Sequence, residues 1–254
     1  MKRETIISIV TYRRPDWAVE VIRSCAEEGA TVWVTANCSS FTESHERAAF
    51  EGFQRTHYRV YRPTVNLGAG GGRNLHIQDR PGGSNLFRLD DDWVFRKSGW
   101  LKRCIDTMRW QRSAVVMASN DVTPGVAHLR LPDCNGNYLV RGDCVDALGG
   151  FYLGFGGTLL DDLEYTRRAV QWAKATARLP RGIVEFGEPM RDLCAEIGGN
   201  ANGGWLPPWS LFEERCAAIE SGAEPLYVPP DGQRVPGWEQ RDAGIPDTER
   251  EYEW

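Results

Sequence analysis

The sequence lacks long hydrophobic runs, and none of its 254 residues lies in an apolar stretch long enough to span a membrane. Its start, "MKRETIISIVTYRRPD", lacks the apolar segment and cleavage site of a signal peptide. These two absences predict a cytoplasmic protein without an integral membrane segment. An excess of positive charge is also missing, because the net charge is -5, and this gives no global case for nucleic-acid binding.

Paired metal-binding motifs are absent as well. The seven cysteines are odd in number, scattered, and contain no CxxC pair, which predicts reduced, packed thiols. Among the four histidines only His76 and His128 merit consideration as metal ligands. Neither has a second ligand at metal spacing, so surface or supporting positions are expected for both.

The first part of the chain alternates strand and helix patterns. Strand patterns cover residues 5–10, 31–35, 58–62 and 85–89. Helix patterns lie between them: from Pro15 to Gly29, from a Ser40–Glu43 capping box to about Phe53, and from Gly70 to Asp79. This alternation predicts an α/β fold with a mostly parallel central sheet and helices on both faces.

The second part of the chain is less regular. Ser98 is predicted to cap a helix, "AVVMAS" is a strand pattern, and the Asn135–Gly136 turn predicts a β-hairpin. A long helix is expected over residues 161–178, after which Pro, Gly and Trp dominate. We therefore divide the chain into a domain at residues 1–178 and an irregular C-terminal extension at 179–254. Three tryptophans of the extension either stack on an acceptor or pack internally: Trp205, Trp209 and Trp238.

Two loops at strand ends carry the chemical signal. In "NLGAGGGRN" the glycines form a flexible turn or leave amides free for an anion, and Arg73 adds a charged donor. In "LFRLDDDWVF" three adjacent carboxylates follow a buried strand, either as a solvated loop or as a site whose repulsion a cation offsets. Because ligands of such sheets bind at the carboxyl ends of the strands, the two loops together indicate a diphosphate site bridged by a divalent cation.

Four motifs in order resemble a known family: "IISIVTYRRPD", "NLGAGGGRN", "LFRLDDDW", and "RGDCVDALGGF" followed by "DDLEYTRR". From Thr5 to Ala173 the chain resembles the GT-A glycosyltransferases, and among them family 2, which is inverting and uses nucleotide sugars. The resemblance implies a Rossmann-like GT-A domain containing a nucleotide-sugar site. It also implies transfer of a sugar to an acceptor hydroxyl with the help of Mn²⁺ or Mg²⁺.

The resemblance carries roles onto particular residues. Those implied for donor binding are Thr11, Tyr12, Arg14, Asn37, Gly68, Arg73, Asp90 and Asp91. Asp92 and Asp90 are implied as metal ligands, and Asp162 or its neighbour Asp161 as the catalytic base. A UDP-sugar is the expected donor. However, Ala36 stands where the family commonly has the aspartate that reads uracil, and Asn37 or Ser39 would have to substitute.

Other functions remain open at this point. The acceptor is a saccharide, a glycopeptide, a small molecule or a hydroxymethylated base in DNA. A sugar nucleotidyltransferase would place its glycine loop directly after the first strand, where this chain has "TYRRPD". An inactive GT-A-like module that only binds a ligand is the non-enzymatic alternative, and the presence of Arg73, Asp90, Asp92 and Asp162 argues against it.

Overall fold

The structure is a computed structural model that describes residues 4–37, 40–54, 57–117, 137–155, 159–176, 181–185, 194–196 and 209–230. The strands are β1 (Thr5–Thr11), β2 (Thr31–Ala36), β3 (Tyr58–Tyr61), β4 (Asn85–Asp90), β5 (Trp93–Phe95), β6 (Ser113–Met117), β7 (Tyr138–Val140), β8 (Arg181–Glu185) and β9 (Cys194–Glu196). The helices are α1 (Pro15–Ser24), α2 (Glu43–Ala49), α3 (Gly68–Asp79), α4 (Trp100–Gln111), α5 (Gly142–Leu148), α6 (Leu159–Thr176) and α7 (Trp209–Ser221).

Among these residues, seven strands form one mixed sheet in the order β3-β2-β1-β4-β7-β6-β8. The first four run parallel, β7 is antiparallel to both β4 and β6, and β8 is parallel to β6. Strands β5 and β9 form a separate antiparallel pair. The predicted α/β fold with a mostly parallel sheet is therefore confirmed.

Alternate residues of the central strands enter two different cores. Ile7 and Ile9 of β1 pack with α1 and α4, whereas Ile6 packs with α5 and α6 on the opposite face. On β4, Leu86 belongs to this second core, and Arg88 and Asp90 follow it on the same face because strand side chains alternate. A charged side chain thus enters a sheet face that is covered by helices.

Two helix starts differ from the predicted ones. Helix α2 is capped by Thr42, whose hydroxyl lies 2.8 Å from Nδ1 of His45, and not by Ser40 with Glu43. Helix α4 follows Gly99 instead of a Ser98 cap. Its first amides donate to the carboxylate of Glu28, with Gly99 N 2.7 Å from Oε1. A cap supplied from 71 residues away leaves no local sequence pattern.

The glycine-rich segment is helical, and the helix starts two residues before the predicted start at Gly70. Helix α3 begins at Gly68, so three consecutive glycines lie in its first turns. A Cβ on Gly72 would stand 2.9 Å from Cγ1 of Val10 and 3.2 Å from Cγ2 of Thr35. The glycines therefore let α3 approach β1 and β2 more closely than alanines would, although glycine weakens a helix.

Replacing Gly72 with Ala is expected to destabilise the protein by about 1–2 kcal/mol. The added methyl group overlaps the branched side chain of Val10, which the buried strand holds in place, and this overrides the better helix propensity of alanine. Urea unfolding measures the difference. Gly82→Ala is the control, because a Cβ there meets nothing within 4 Å, and it should change stability by less than about 0.5 kcal/mol.

Several sequence predictions fall partly or wholly outside the described residues. Outside the described residues lie the first arm and the turn of the predicted hairpin, together with His128, Trp205 and Trp238. The expected second arm of the hairpin is a strand, β7. Four cysteines in the described part are free and buried: Cys25, Cys104, Cys144 and Cys216. None of the helices within the described ranges is both long and apolar enough to cross a bilayer.

Candidate active site

The carboxyl ends of three neighbouring strands place their loops at one edge of the sheet. In the register of the parallel strands, Val10 pairs with Asp90 and Thr11 with Ala36. The turn after β1, the segment after β2 and the aspartates after β4 therefore lie side by side. Helix α3 begins beside them, since the hydroxyl of Thr35 donates to the Gly72 carbonyl at 2.9 Å.

Each of the three consecutive aspartates faces an arginine. Asp90 Oδ1 lies 3.1 Å from Arg73 Nη2, and its Oδ2 lies 2.8 Å from Arg88 Nη1. Nη1 of Arg14 lies 3.1 Å from Asp92 Oδ2 and 3.8 Å from Asp91 Oδ1. The positive charge that offsets the repulsion in "DDD" thus comes, at least in part, from the protein itself.

The turn after β1 surrounds Asp91. Burial raises the pKa of Asp91 to about 6, although Arg14 and the Thr11 hydroxyl oppose this rise. Arg13 in the same turn has a φ of 58°, the left-handed region that is rare for residues other than glycine. Its guanidinium carbon lies 5.0 Å from the centre of the Tyr12 ring. Strained backbone of this kind is typical of functional sites.

The side chain of Asn37 forms hydrogen bonds with the residues at the start of α3. Its side-chain amide donates to the Gly68 carbonyl at 2.9 Å, and its Oδ1 accepts from Leu67 N at 3.2 Å. The side chain is buried. Asn37, predicted to bind the donor, therefore has both ends of its amide engaged with the chain, and Gly68 is the residue that it holds.

Arg73 and His76 are buried residues of α3, the helix that begins beside the loops at the sheet edge. Arg73 is almost fully buried, and burial together with Arg88 lowers its pKa. His76 bonds Ser8 at 2.6 Å through Nδ1 and Thr35 at 2.9 Å through Nε2. Burial and the charge of Arg73 lower the pKa of His76 to about 3, so the imidazole is neutral. His76 supports the sheet–helix contact, as its expected supporting position implies.

The first turn of α6 is held by a buried ionic cluster. Glu164 accepts hydrogen bonds from Nε of Arg168 and from Nε of Arg215, each at 2.9 Å. Arg168 also donates to the carbonyls of Leu148 and Gly150, both at 2.8 Å. Glu164 is therefore part of a structural network that fixes the position of the preceding aspartates.

The two neighbouring aspartates of α6 have different surroundings. Asp162 accepts from Arg88 Nη2 at 2.6 Å through Oδ2 and from the Tyr138 hydroxyl at 2.9 Å through Oδ1. Both oxygens of Asp161 are buried and have no hydrogen-bond partner among the described residues, and Oδ2 lies 2.9 Å from where a Cβ on Gly70 would be. Both residues are at most 4% exposed.

These surroundings shift the two carboxyl groups unequally. Burial, with the charges of Asp162 and Glu164, raises the pKa of Asp161 well above its ordinary value. Burial also raises the pKa of Asp162, but Arg88 and Arg73 counteract it. The pKa of both carboxyl groups is thus raised, chiefly by burial. Asp162 is the one of the two whose charged form is stabilised by a bound guanidinium and a bound hydroxyl group.

Three residues of this site were missed by the sequence analysis. Arg88 and Tyr138 contact Asp162, and Oδ1 of Asn137 accepts from the Asp90 amide at 2.9 Å. The arginine in the apolar run "NLFRLD" was the available signal for Arg88, because a charge in a buried strand needs a partner. Asn137 and Tyr138 carry no comparable signal, since each reaches the site through the pairing of β7 with β4.

The aspartates after β4 carry the oxygen atoms that a divalent cation would need as ligands. Hard cations require oxygen ligands, and Arg14 already places a positive group within 3.8 Å of both Asp91 and Asp92. Within the described ranges, no three His, Cys, Asp or Glu side chains gather into a group that could hold a metal. The protein would thus supply one or two carboxylates, with phosphate oxygens and water as the remaining ligands, a common arrangement for Mg²⁺.

One parallel strand ends in aspartates, a helix starts beside it, and a second acidic pair lies on α6. This arrangement is typical of α/β domains that bind a ligand at the carboxyl ends of their strands. Residues 6–148, more than half of the chain, match the family model described as glycosyl transferase family 2. The chain belongs to this family. It has no significant match among curated protein sequences.

Solved structures share the fold at low identity. The mannosyltransferase PcManGT from Pyrobaculum calidifontis, in complex with GDP-Man and Mn²⁺, is 14% identical with a TM-score of 0.61, covering 91% of this chain and 67% of that one. TarS 1–349 from S. aureus is 14% identical with a TM-score of 0.53, covering 73% of this chain and 59% of that one. The structure of TarS 1–349 in complex with UDP-GlcNAc is 15% identical with a TM-score of 0.57, covering 85% of this chain and 66% of that one. The chain therefore spans 59 to 67% of the length of these structures.

Proposed function

We propose that this protein transfers a sugar from a nucleotide-sugar donor to an acceptor hydroxyl, with inversion at the anomeric carbon and with the help of Mn²⁺ or Mg²⁺. One observation carries the proposal: Arg88 joins Asp90, at the donor end of β4, to Asp162 on α6. Carboxylates at both ends of one buried network support a reaction in which one side handles the leaving diphosphate and the other the attacking hydroxyl. Family membership supports the same reaction class.

Residues on the two sides of the site are assigned different roles in the proposed reaction. Asp162, bound by Arg88 and Tyr138, accepts the proton of the acceptor hydroxyl as the hydroxyl attacks the anomeric carbon. The sugar–phosphate bond breaks on the opposite side of that carbon, and Arg14 and Arg73 lie where they can stabilise the negative charge of the departing diphosphate. A divalent cation bound by Asp92 would supply further charge neutralisation there.

The turn after β1 and the C-terminal extension are assigned to the two substrates. We assign contact with the nucleotide to Tyr12 and Arg13, which are partly buried and exposed respectively. Residues 222–230 lie beside α6, because Arg168 donates to the Leu226 carbonyl at 3.0 Å. This proximity supports an acceptor-side role for the extension.

Thermal unfolding with a panel of nucleoside diphosphates and nucleotide sugars, each with and without Mn²⁺, tests the proposal. A ligand at about 100 times its Kd stabilises the native state by about 2.7 kcal/mol. For a protein of this size we expect the Tm to rise by roughly 5–10 °C, and only with metal present. If no nucleotide raises the Tm, the transferase proposal fails.

Asp92→Asn should remove the metal-dependent part of this rise, because the cation loses its carboxylate ligand. The matched control is Asp106→Asn on the solvent side of α4, an exposed carboxylate paired only with a lysine on the same helix, and it should leave the Tm rise unchanged. If Asp92→Asn responds like wild type, Asp92 is not a metal ligand.

A further inference from the structure

Both oxygens of Asp162 are held by one pair of side chains on adjacent strands. Arg88 of β4 and Tyr138 of β7 are register partners in the antiparallel ladder. The guanidinium binds Oδ2 at 2.6 Å, and the phenol binds Oδ1 at 2.9 Å. Because the two oxygens are fixed from two strands, the plane and the depth of the carboxylate are set by the sheet and not by α6 alone.

Stability alone does not explain a charge at position 88. Arg88 is 5% exposed, on a strand face that includes Leu86. A buried ion pair is frequently no more stable than well-packed apolar side chains of similar volume, since desolvating both charges is costly. Although burial lowers the pKa of Arg88, Asp162 and Asp90 raise it overall, so the guanidinium stays charged.

Arg88 also connects the two halves of the site. Its Nη1 lies 2.8 Å from Asp90 Oδ2, while its Nη2 holds Asp162. A planar guanidinium can bind two carboxylates in a fixed geometry, whereas the single ammonium of lysine cannot do so in the same way. Arg88 thus links the donor-side carboxylate, through an ion pair, to the acceptor-side carboxylate, through a hydrogen bond.

We infer that Arg88 and Tyr138 form a clamp that positions Asp162 for proton transfer, and that Arg88 fixes the distance between Asp162 and the donor-side Asp90. The inference rests on the proposed function, in which Asp162 is the base. Both are positioning residues, because they act through Asp162. Their loss should lower the rate of the chemical step and leave donor binding nearly unchanged.

The experiment measures release of nucleoside diphosphate with water as the acceptor, using UDP-, GDP-, ADP- and dTDP-sugars with Mn²⁺ and following the donor that wild type cleaves fastest. Tyr138→Phe removes one hydrogen bond to a charged group, so kcat should fall roughly tenfold while the donor KM changes less than about twofold. Arg88→Met should lower kcat roughly a hundredfold or more, and Arg88→Lys should recover part of that loss.

Tyr165→Phe is the matched control, because this buried hydroxyl of α6 bonds only weakly to the Gly149 carbonyl, at 3.4 Å. A merely structural role predicts equal losses of Tm in the two tyrosine variants and an unchanged kcat for the folded fraction. The clamp is overturned if wild type turns over and Tyr138→Phe and Arg88→Met keep its kcat. If wild type cleaves no donor, the proposed function itself fails, and the clamp fails with it.

Discussion

Asp162→Asn is expected to lower sugar transfer roughly 100- to 10,000-fold, the range attributed to general acid–base catalysis. The amide cannot accept the proton of the attacking hydroxyl, whereas it still fills the space between Arg88 and Tyr138. In the proposed function the donor binds on the Asp90 side of Arg88, away from Asp162, so the Kd for nucleoside diphosphate should change little. Initial rates with saturating donor, together with a direct binding measurement, separate the two effects.

Asp161→Asn is the control for this experiment, since it removes a carboxyl group from the same helical turn. Burial raises the pKa of Asp161 well above its ordinary value, and its oxygens have no hydrogen-bond partner within the described ranges, so its loss should reduce transfer much less than the loss of Asp162. If Asp162→Asn keeps full activity and Asp161→Asn abolishes it, the two roles are exchanged. If both variants remain active, the base lies outside this pair.

The sequence was sufficient for the elements whose patterns are local. Strand β1 is buried along its whole length, and its run of β-branched residues has no other good interpretation. The long helix starting near Asp161 and the order of the four parallel strand–helix units were predictable for the same reason. The aspartates after β4 could be placed at the sheet edge, because β4 had to be a buried strand.

The electrostatic partners could not be read from the sequence. Arg14 reaches Asp92 across 78 residues, and Arg88 reaches Asp162 across 74. No spacing rule connects such pairs, since they depend on strand order and on how α6 packs on the sheet. The repulsion within "DDD" predicted a divalent cation, but it did not predict that arginines would contact all three carboxylates.

The glycine segment shows a different limit. Its composition suggests a flexible loop, because glycine disfavours helices. In the folded protein the close packing of α3 against β1 and α6 explains why glycines occupy this helix. A Cβ on Gly70 would lie 2.9 Å from an oxygen of Asp161. Close approach of three elements requires small residues in a helix, and only the tertiary structure reveals it.

Asp161→Asn is expected to stabilise the folded protein, by about 1–3 kcal/mol at pH 8, because an amide stays uncharged in this buried position without having to bind a proton. The folded-state pKa of Asp161 is raised above the unfolded value of about 3.9. Protonation therefore favours the folded state, and stability is lost as pH rises towards the folded pKa. The gain from asparagine should be larger at pH 8 than at pH 5, as measured by urea unfolding.

Asp162→Asn, at the adjacent position, should change the free energy of unfolding in the opposite direction. It takes a charged partner from Arg88 and weakens the bond from Tyr138, so we expect a loss of about 1–3 kcal/mol at pH 8. Two neighbouring aspartates in a solvated first helical turn would give small changes of the same sign, since dipole effects there are modest. Opposite signs would instead match a site in which Arg88 and Tyr138 bind one aspartate while the other is kept at a cost in stability, as functional sites commonly do.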